Sequence, residues 1–436
     1  MPFYNFAYQQ VSDCKGSDEA ASHGTCIFYR TYGRGPIKVL LIIGLAGTHE
    51  SWRPQIKGLT GKCEPNDGPS LNSDDGFPGD GKKGIEVCAF DNRGMGRSSI
   101  PTKKSEYTTK IMAMDALALL DHLGWQKTHV FGHSMGAMVA CKLASMVPER
   151  ILSLALLNVT GGGFECFPRL DRQTLSIAYR FLRARTPEDR AAVDLDTHYS
   201  KEYLEEFHGL TTRRAALYQE YVKAISSTGM QTSYGFEGQV NACWTHTMTR
   251  SEIETIRSAG FLVSVIHGRH DVIAQIYYAR KFAHQLSPVA RMVDLHGGHL
   301  VSHERTDEVN STLLELIKAA EEGVSPIKWT NISTKNTGLL VRGNLSSDGS
   351  LYKSFGVFKE NPWTTKTCQS WGYLNMKTSL LFRLHRINRL NYMKERIGTY
   401  HLNWKCSIMK SPIIFIPCIS AGILLYRFLQ SGQNNQ

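Results

Sequence analysis

The chain has 436 residues, of which 42% are hydrophobic and 20% charged, with a formal net charge of +11. The surplus is local. From Gly323 onward 15 Lys and Arg face 3 Asp and Glu, so the body before it is close to neutral. A near-neutral body with an ordinary apolar fraction excludes a disordered chain and gives no electrostatic footprint for nucleic acid.

Cys26 to Thr31 and Lys38 to Ile43 read as strands split by the turn Gly33-Arg34-Gly35-Pro36. The second is apolar throughout, as expected of a strand buried on both faces. It ends in Gly44-Leu45-Ala46-Gly47-Thr48. A short helix is expected from Trp52 to Leu59. Lys62 to Lys83, rich in Gly, Pro, Asp, Asn and Ser, reads as an exposed insertion whose carboxylates lack EF-hand spacing. Ile85 to Phe90 is a strand running into Asp91-Asn92-Arg93-Gly94-Met95-Gly96-Arg97-Ser98. Lys110 to Leu123 is an amphipathic helix closed by Gly124.

Thr128 to Met146 carries the central motif. A β-prone run stops at Gly132-His133-Ser134-Met135-Gly136, and a helical run follows from Ala137. Strand, Gly-x-Ser-x-Gly and helix in that order form a nucleophile elbow. Its tight turn lifts the Ser134 hydroxyl above the sheet edge and aims the Met135 N–H at the atom under attack. Ile151 to Leu157 is the next buried strand. From Thr160 to Ala259 buried strand patterns vanish. Helices are expected at Gln173 to Ala184, Glu202 to Phe207 and Thr211 to Ser226. The sheet resumes at Leu262 to Ile266, and Ile276 to Leu286 is a helix. Arg291 to Leu295 is the last strand and Asp307 to Glu321 the closing helix. Alternating strands and helices predict an α/β fold, a mostly parallel sheet covered on both faces, with reactive groups at the carboxyl ends of the strands.

A serine needs a base in contact, and the base needs an acid to orient it. The strand Leu262 to Ile266 leads to Asp271 through His267-Gly268-Arg269-His270. The strand Arg291 to Leu295 leads to His299 through His296-Gly297-Gly298. The order Ser134, Asp271, His299 is that of a hydrolase triad. Asp294 competes with Asp271, and His296 and His303 compete with His299. The Gly-Gly-His turn favours His299, and Asp294 lies inside its strand run. Met135 N–H is one oxyanion donor. Leu45 N–H is the expected second, with Ala46 as the alternative.

These motifs resemble those of the α/β-hydrolase-fold serine hydrolases. The matching stretches are Gly44 to Gly47, Asp91 to Ser98, Gly132 to Gly136, His267 to Asp271 and Gly297 to His299. The resemblance is nearest to small-ester hydrolases and aminoacrylate-hydrolase-like members. It implies an α/β-hydrolase fold with an inserted helical cap, no cofactor and no metal. The domains expected are a core at 20–160 and 260–322, a cap at 161–259, a basic extension at 323–410 and a membrane anchor at 411–429. One departure stands out: Ile43 occupies the place where relatives often carry histidine before the oxyanion glycine, so a bond steadying that loop is expected to be missing. Serine at the elbow argues against epoxide hydrolases and haloalkane dehalogenases.

The expected activity is hydrolysis of a carboxylic ester or related small acyl compound through an acyl-enzyme. Phe164, Tyr234, Phe236 and Trp244 of the cap are expected to shape the substrate pocket. An acyltransferase on the same triad and a small-molecule receptor on the same fold are the alternatives. Scattered cysteines and a start without a basic, apolar leader point to a reducing, cytosol-facing location. Pro412 to Tyr426 is an uncharged run flanked by Lys405, Lys410 and Arg427. It is short for a span but suits a thin membrane such as the endoplasmic reticulum.

Overall fold

The computed structural model describes residues 3–6, 24–67, 84–169, 171–228 and 230–331. The core is one eight-stranded sheet. Its strands are β1 (Phe3–Phe6), β2 (Thr25–Tyr32), β3 (Ile37–Ile42), β4 (Ile85–Phe90), β5 (Thr128–His133) and β6 (Ile151–Leu157), with β9 (Leu262–Gly268) and β10 (Ala290–Leu295). A separate two-residue ladder joins β7 (Phe207–His208) to β8 (Thr211–Thr212). The order across the sheet is β1-β2-β4-β3-β5-β6-β9-β10. Strands β1 and β2 pair antiparallel, as do β2 and β4, and every other pair in this sheet is parallel.

The apolar runs explain the layering, because successive side chains of a strand point to opposite faces. Leu40 and Ile42 of β3, Leu154 and Leu156 of β6, and Val263 and Val265 of β9 enter one core. Val39 and Leu41, Ala155 and Leu157, and Leu262 and Ile266 enter the other. The first face is covered by α2 (Thr109–His122), α3 (Met135–Met146), α9 (Arg250–Ser258) and α10 (Ile276–Gln285). The second is covered by α1 (Arg53–Thr60), with α11 (Val301–Glu304) and α12 (Thr306–Glu321).

Between β6 and β9 the chain forms α4 (Arg172–Arg183), α5 (Pro187–His198), α6 (Lys201–Glu205), α7 (Arg213–Thr228) and α8 (Ser233–Thr245) before α9. The side chains of Asp171, Thr186, Ser200, Thr232 and Thr249 cap α4, α5, α6, α8 and α9. Each satisfies a first-turn N–H that would otherwise lack a partner. Ala242 of α8 and Ile256 of α9 are buried in the first core, so the later part of this insertion also roofs the sheet. Packing continues past residue 322. Trp329 of α13 (Pro326–Asn331) is fully buried, donates Nε1–H to Val263 O at 2.9 Å and lies under the Arg291 guanidinium. Residues 332–410 of the basic extension expected at 323–410, and the expected anchor at 411–429, lie outside the described residues. Among the described residues no helix is long and apolar enough to cross a membrane.

Candidate active site

The elbow has no spare atom. β5 ends at His133 and α3 starts at Met135, leaving Ser134 between them at φ 53° and ψ −120°. A side chain in that region costs on the order of 1–3 kcal/mol, so surrounding packing must hold it there. The two glycines show how. A Cβ on Gly132 would lie 2.4 Å from Gly136 O, and one on Gly136 would lie 2.1 Å from Ile42 O. Ser134 N–H donates to Leu157 O at 2.8 Å, and Ser134 O accepts from Ala137 N–H at 2.9 Å. His133 and Met135 are buried, whereas Ser134 keeps partial exposure.

Asp271 and His299 meet because the loops after β9 and β10 touch. A Cβ on Gly268 would stand 2.2 Å from Gly298 O. His299 Nδ1–H donates to Asp271 Oδ2 at 2.8 Å, which leaves Nε2 for proton exchange. Asn158 Nδ2–H also donates to Oδ2, at 2.7 Å, while Oδ1 accepts the Ile273 and Ala274 N–H groups at 2.8 Å each. The carboxylate is fully buried. Burial by itself would raise its pKa. The His299 charge and hydrogen bond, the nearby His267 and the Ala274 N–H outweigh that and hold it at about 2.

His133 ties the elbow to His299. Its Nε2–H donates to His299 O at 2.8 Å, and the two rings stand edge to face at 4.9 Å. Burial, reinforced by the neighbouring His299, pushes His133 down to about 3, so it stays neutral. The His299 loop is held from below by Glu304. That carboxylate accepts Gly298 N–H at 2.7 Å and also Ser200 N–H and Oγ–H, each at 2.7 Å. Leu300 N–H donates to His198 O at 2.8 Å. The insertion between β6 and β9 thus contributes directly to the loop that carries His299.

The turn Gly44–Gly47 sits against the elbow, since a Cβ on Gly44 would lie 3.1 Å from Ser134 Cβ. Ala46 has φ 60°. Its N–H donates to Gln239 Oε1 at 2.9 Å, which removes it as a free donor. Leu45 N–H has no acceptor among the described residues. Met135 N–H is the first of α3 and belongs to the unpaired donors of a helix start. Asn92 Nδ2–H anchors Ile43 O at 2.7 Å. Arg93 makes a buried bidentate pair with Asp115, both contacts at 2.6 Å, which stiffens the loop after β4.

The rival residues go elsewhere. Asp294 binds Arg269 and Arg280. His303 Nε2–H donates to Ser51 O at 2.8 Å, and His296 packs on His270 at 4.4 Å. Of the four aromatic residues expected around the pocket, Phe164 and Trp244 pack with Phe167 and with each other, and Phe236 lies over Phe181. Phe164 and Tyr234 are 66% and 58% exposed. No described ring contact joins any of the four to His299. Asn158, Glu304 and Gln239 were not expected from sequence. Asn158 carried one signal, a polar residue ending an apolar strand run.

A model of the alpha/beta hydrolase fold family matches residues 38–306. The "Putative carbamate hydrolase RutD" of Azorhizobium caulinodans is 28% identical over 162 residues, 37% of this chain and 50% of its own length. This chain thus matches about half the length of that relative. The "Putative non-heme bromoperoxidase BpoC" of Mycobacterium tuberculosis is 28% identical over 242 residues, 55% of this chain and 85% of its own. Among solved structures, an enol-lactonase from Burkholderia xenovorans has TM-score 0.51 and 22% identity, covering 67% of this chain and 97% of that one. The family model, the sheet order and the elbow agree: this chain belongs to the alpha/beta hydrolase fold family.

Proposed function

We propose that the chain is a cofactor-independent serine hydrolase that cleaves a carboxylic ester or related acyl compound. The observation that carries this reading is the buried Asp271–His299 pair at 2.8 Å, tied through His133 to the strained Ser134 elbow. In this reading Ser134 Oγ attacks the substrate carbonyl while His299 Nε2 takes the hydroxyl proton. Asp271 fixes the His299 tautomer and stabilises its charged form. Leu45 and Met135 N–H groups receive the oxyanion. His299 then protonates the leaving group, which departs and leaves Ser134 acylated. Water, deprotonated by His299, attacks the acyl carbon, releases the acid and restores Ser134. Phe164, Tyr234, Phe236 and Trp244 are proposed to select substrate from the insertion, and residues 412–426 to attach the protein to a membrane.

The test is labelling with a fluorophosphonate and mass mapping of the adduct, followed by hydrolysis of an ester series of increasing acyl length. Labelling of Ser134, absent in Ser134→Ala, supports the reading. An unlabelled chain that turns over no ester in the series overturns it.

A further inference from the structure

Gln239 is fully buried on α8, within the inserted segment, yet it touches the turn expected to carry the oxyanion donor. Its Oε1 accepts Ala46 N–H at 2.9 Å, and its Nε2–H donates to Arg93 O at 2.9 Å. Those partners fix the amide's orientation, since Ala46 N only donates and Arg93 O only accepts. Gln231 Nε2–H adds a second donor to Oε1 at 3.0 Å and reaches Gly94 O at 2.8 Å. One side chain of the insertion therefore bridges the loops after β3 and β4.

The turn it grips holds a backbone angle that an L-residue disfavours. Gly47 N–H faces Gly44 O at 3.4 Å, and Ala46, the third residue, has φ 60°, as in a type II turn. Flipping the central Leu45–Ala46 peptide would return Ala46 to negative φ and re-aim the turn. The Ala46 N–H bond to Gln239 opposes that flip.

We propose that Gln239 is a positioning residue for the oxyanion hole: by holding Ala46 N–H, in the peptide next to the one that carries Leu45 N–H, it keeps the Gly44–Gly47 turn seated against Ser134 with Leu45 N–H toward the hydroxyl. The proposal rests on the reading of Ser134 as an acyl-accepting nucleophile. It gives the insertion a role beyond enclosing substrate: the donor turn is set only while α8 is seated. It also supplies, from α8, a tie to the turn that Ile43 cannot make.

The test uses the full-length protein, p-nitrophenyl acetate as substrate and phenylboronic acid as tetrahedral mimic. Gln239→Met is expected to lower kcat by about 10–100-fold with KM within about threefold. Phenylboronic acid affinity should fall in parallel. Adding Ala46→Gly should recover part of the kcat, because glycine takes positive φ without strain. Wild-type kcat in Gln239→Met, or a loss confined to KM, overturns the proposal. If Gln239→Met melts below the assay temperature, Gln239→Glu is read instead. Protonated in this buried site, it keeps an acceptor for Ala46 N–H and an O–H donor for Arg93 O, so in assays below pH 6 it is expected to hold kcat within about threefold of wild type at the same pH, whereas a deeper fall in both kcat and boronate affinity overturns the proposal. Fluorophosphonate labelling separates the two failures. A labelled wild type with indifferent Gln239 variants rejects only this inference, while an unlabelled, inactive wild type rejects the reading of Ser134.

Discussion

His133 Nε2–H donates to His299 O at 2.8 Å, so the residue before the proposed nucleophile fixes the backbone of the proposed base. The bond couples the positions of the two residues. His133→Phe keeps the bulk but leaves a buried carbonyl without its donor. Its kcat is expected to fall by about 10²-fold, the scale of a misplaced catalytic group. His133→Gln, which can still donate, should recover part of that loss. Steady-state kinetics of both variants is the check, and equal kcat in wild type and His133→Phe would remove the tie from the mechanism.

Ser134→Ala should lower turnover by about 10³-fold or more; it keeps the Cβ and the backbone of the turn, so its melting temperature should stay close to that of the wild type. Asp271→Asn should lose about 10⁴-fold, because an amide at that position favours the wrong His299 tautomer. Ester hydrolysis and thermal melts measure both.

Acid should destabilise the fold early. His129, His133 and His246 are buried, and burial pushes them to about 4, 3 and 3. Their folded pKa values lie below the unfolded value near 6.5. Stability is therefore complete above that value and falls as pH drops from about 6.5 toward the folded values. Each such histidine contributes a slope of up to about 1.4 kcal/mol per pH unit. Asp271, held at about 2, adds a second loss in the same direction as pH falls from about 4 toward 2. Melting temperatures between pH 8 and pH 4 test this, and a flat profile below pH 6.5 contradicts it.

Glu304 should matter to both stability and catalysis. Glu304→Ala strands Gly298 N–H and both Ser200 donors, at about 1–3 kcal/mol for each group left unpaired. The His299 loop would loosen with them. A lower melting temperature together with a reduced kcat is expected. Glu304→Gln keeps a carbonyl acceptor and should fall between the two. The same contacts predict that excising the insertion disturbs the proposed triad as well as any substrate choice it makes, because Ser200 is bonded to Glu304 and His198 O to Leu300 N–H.

Removal of residues 411–436 should release membrane-attached protein without loss of ester hydrolysis, since every proposed catalytic residue precedes residue 323. Alkaline carbonate extraction of the full chain tests the anchor. Complete extraction would show that 412–426 does not span a bilayer.

The core and the elbow were legible because both rest on local pattern. Val39 to Ile43 is apolar at every position, and only a doubly covered strand requires that. Ile85 to Phe90 and Ile151 to Leu157 were read at their observed ends. Gly132 and Gly136 flank a serine in a spacing that few other structures need. The helices α5, α8 and α9 went unread although Thr186-Pro187, Thr232 and the Thr249–Glu252 capping box mark their starts. The apolar periodicity of α5 and α8 is weak, and α9 is short, with Ile253 and Ile256 as its apolar residues. β1 lacked any signal, being four residues long. Asn158 and Gln239 act across 113 and 193 residues of chain, on Asp271 and the Gly44–Gly47 turn, and Glu304 ties the His299 loop to Ser200, 104 residues away. A bond of that span leaves no mark on the residues beside it.

Trp329 changes where this protein can be cut. Its indole fills a slot beside β9 and β10, bonded to Val263 O and covered by Arg291. A chain shortened at the charge boundary near Gly323 would lose that plug and expose apolar surface along the sheet edge, inviting self-association. A cut after Asn331 keeps the plug. The change in charge along the sequence thus falls inside packed structure, and a protease site or fusion joint placed there would cut into it.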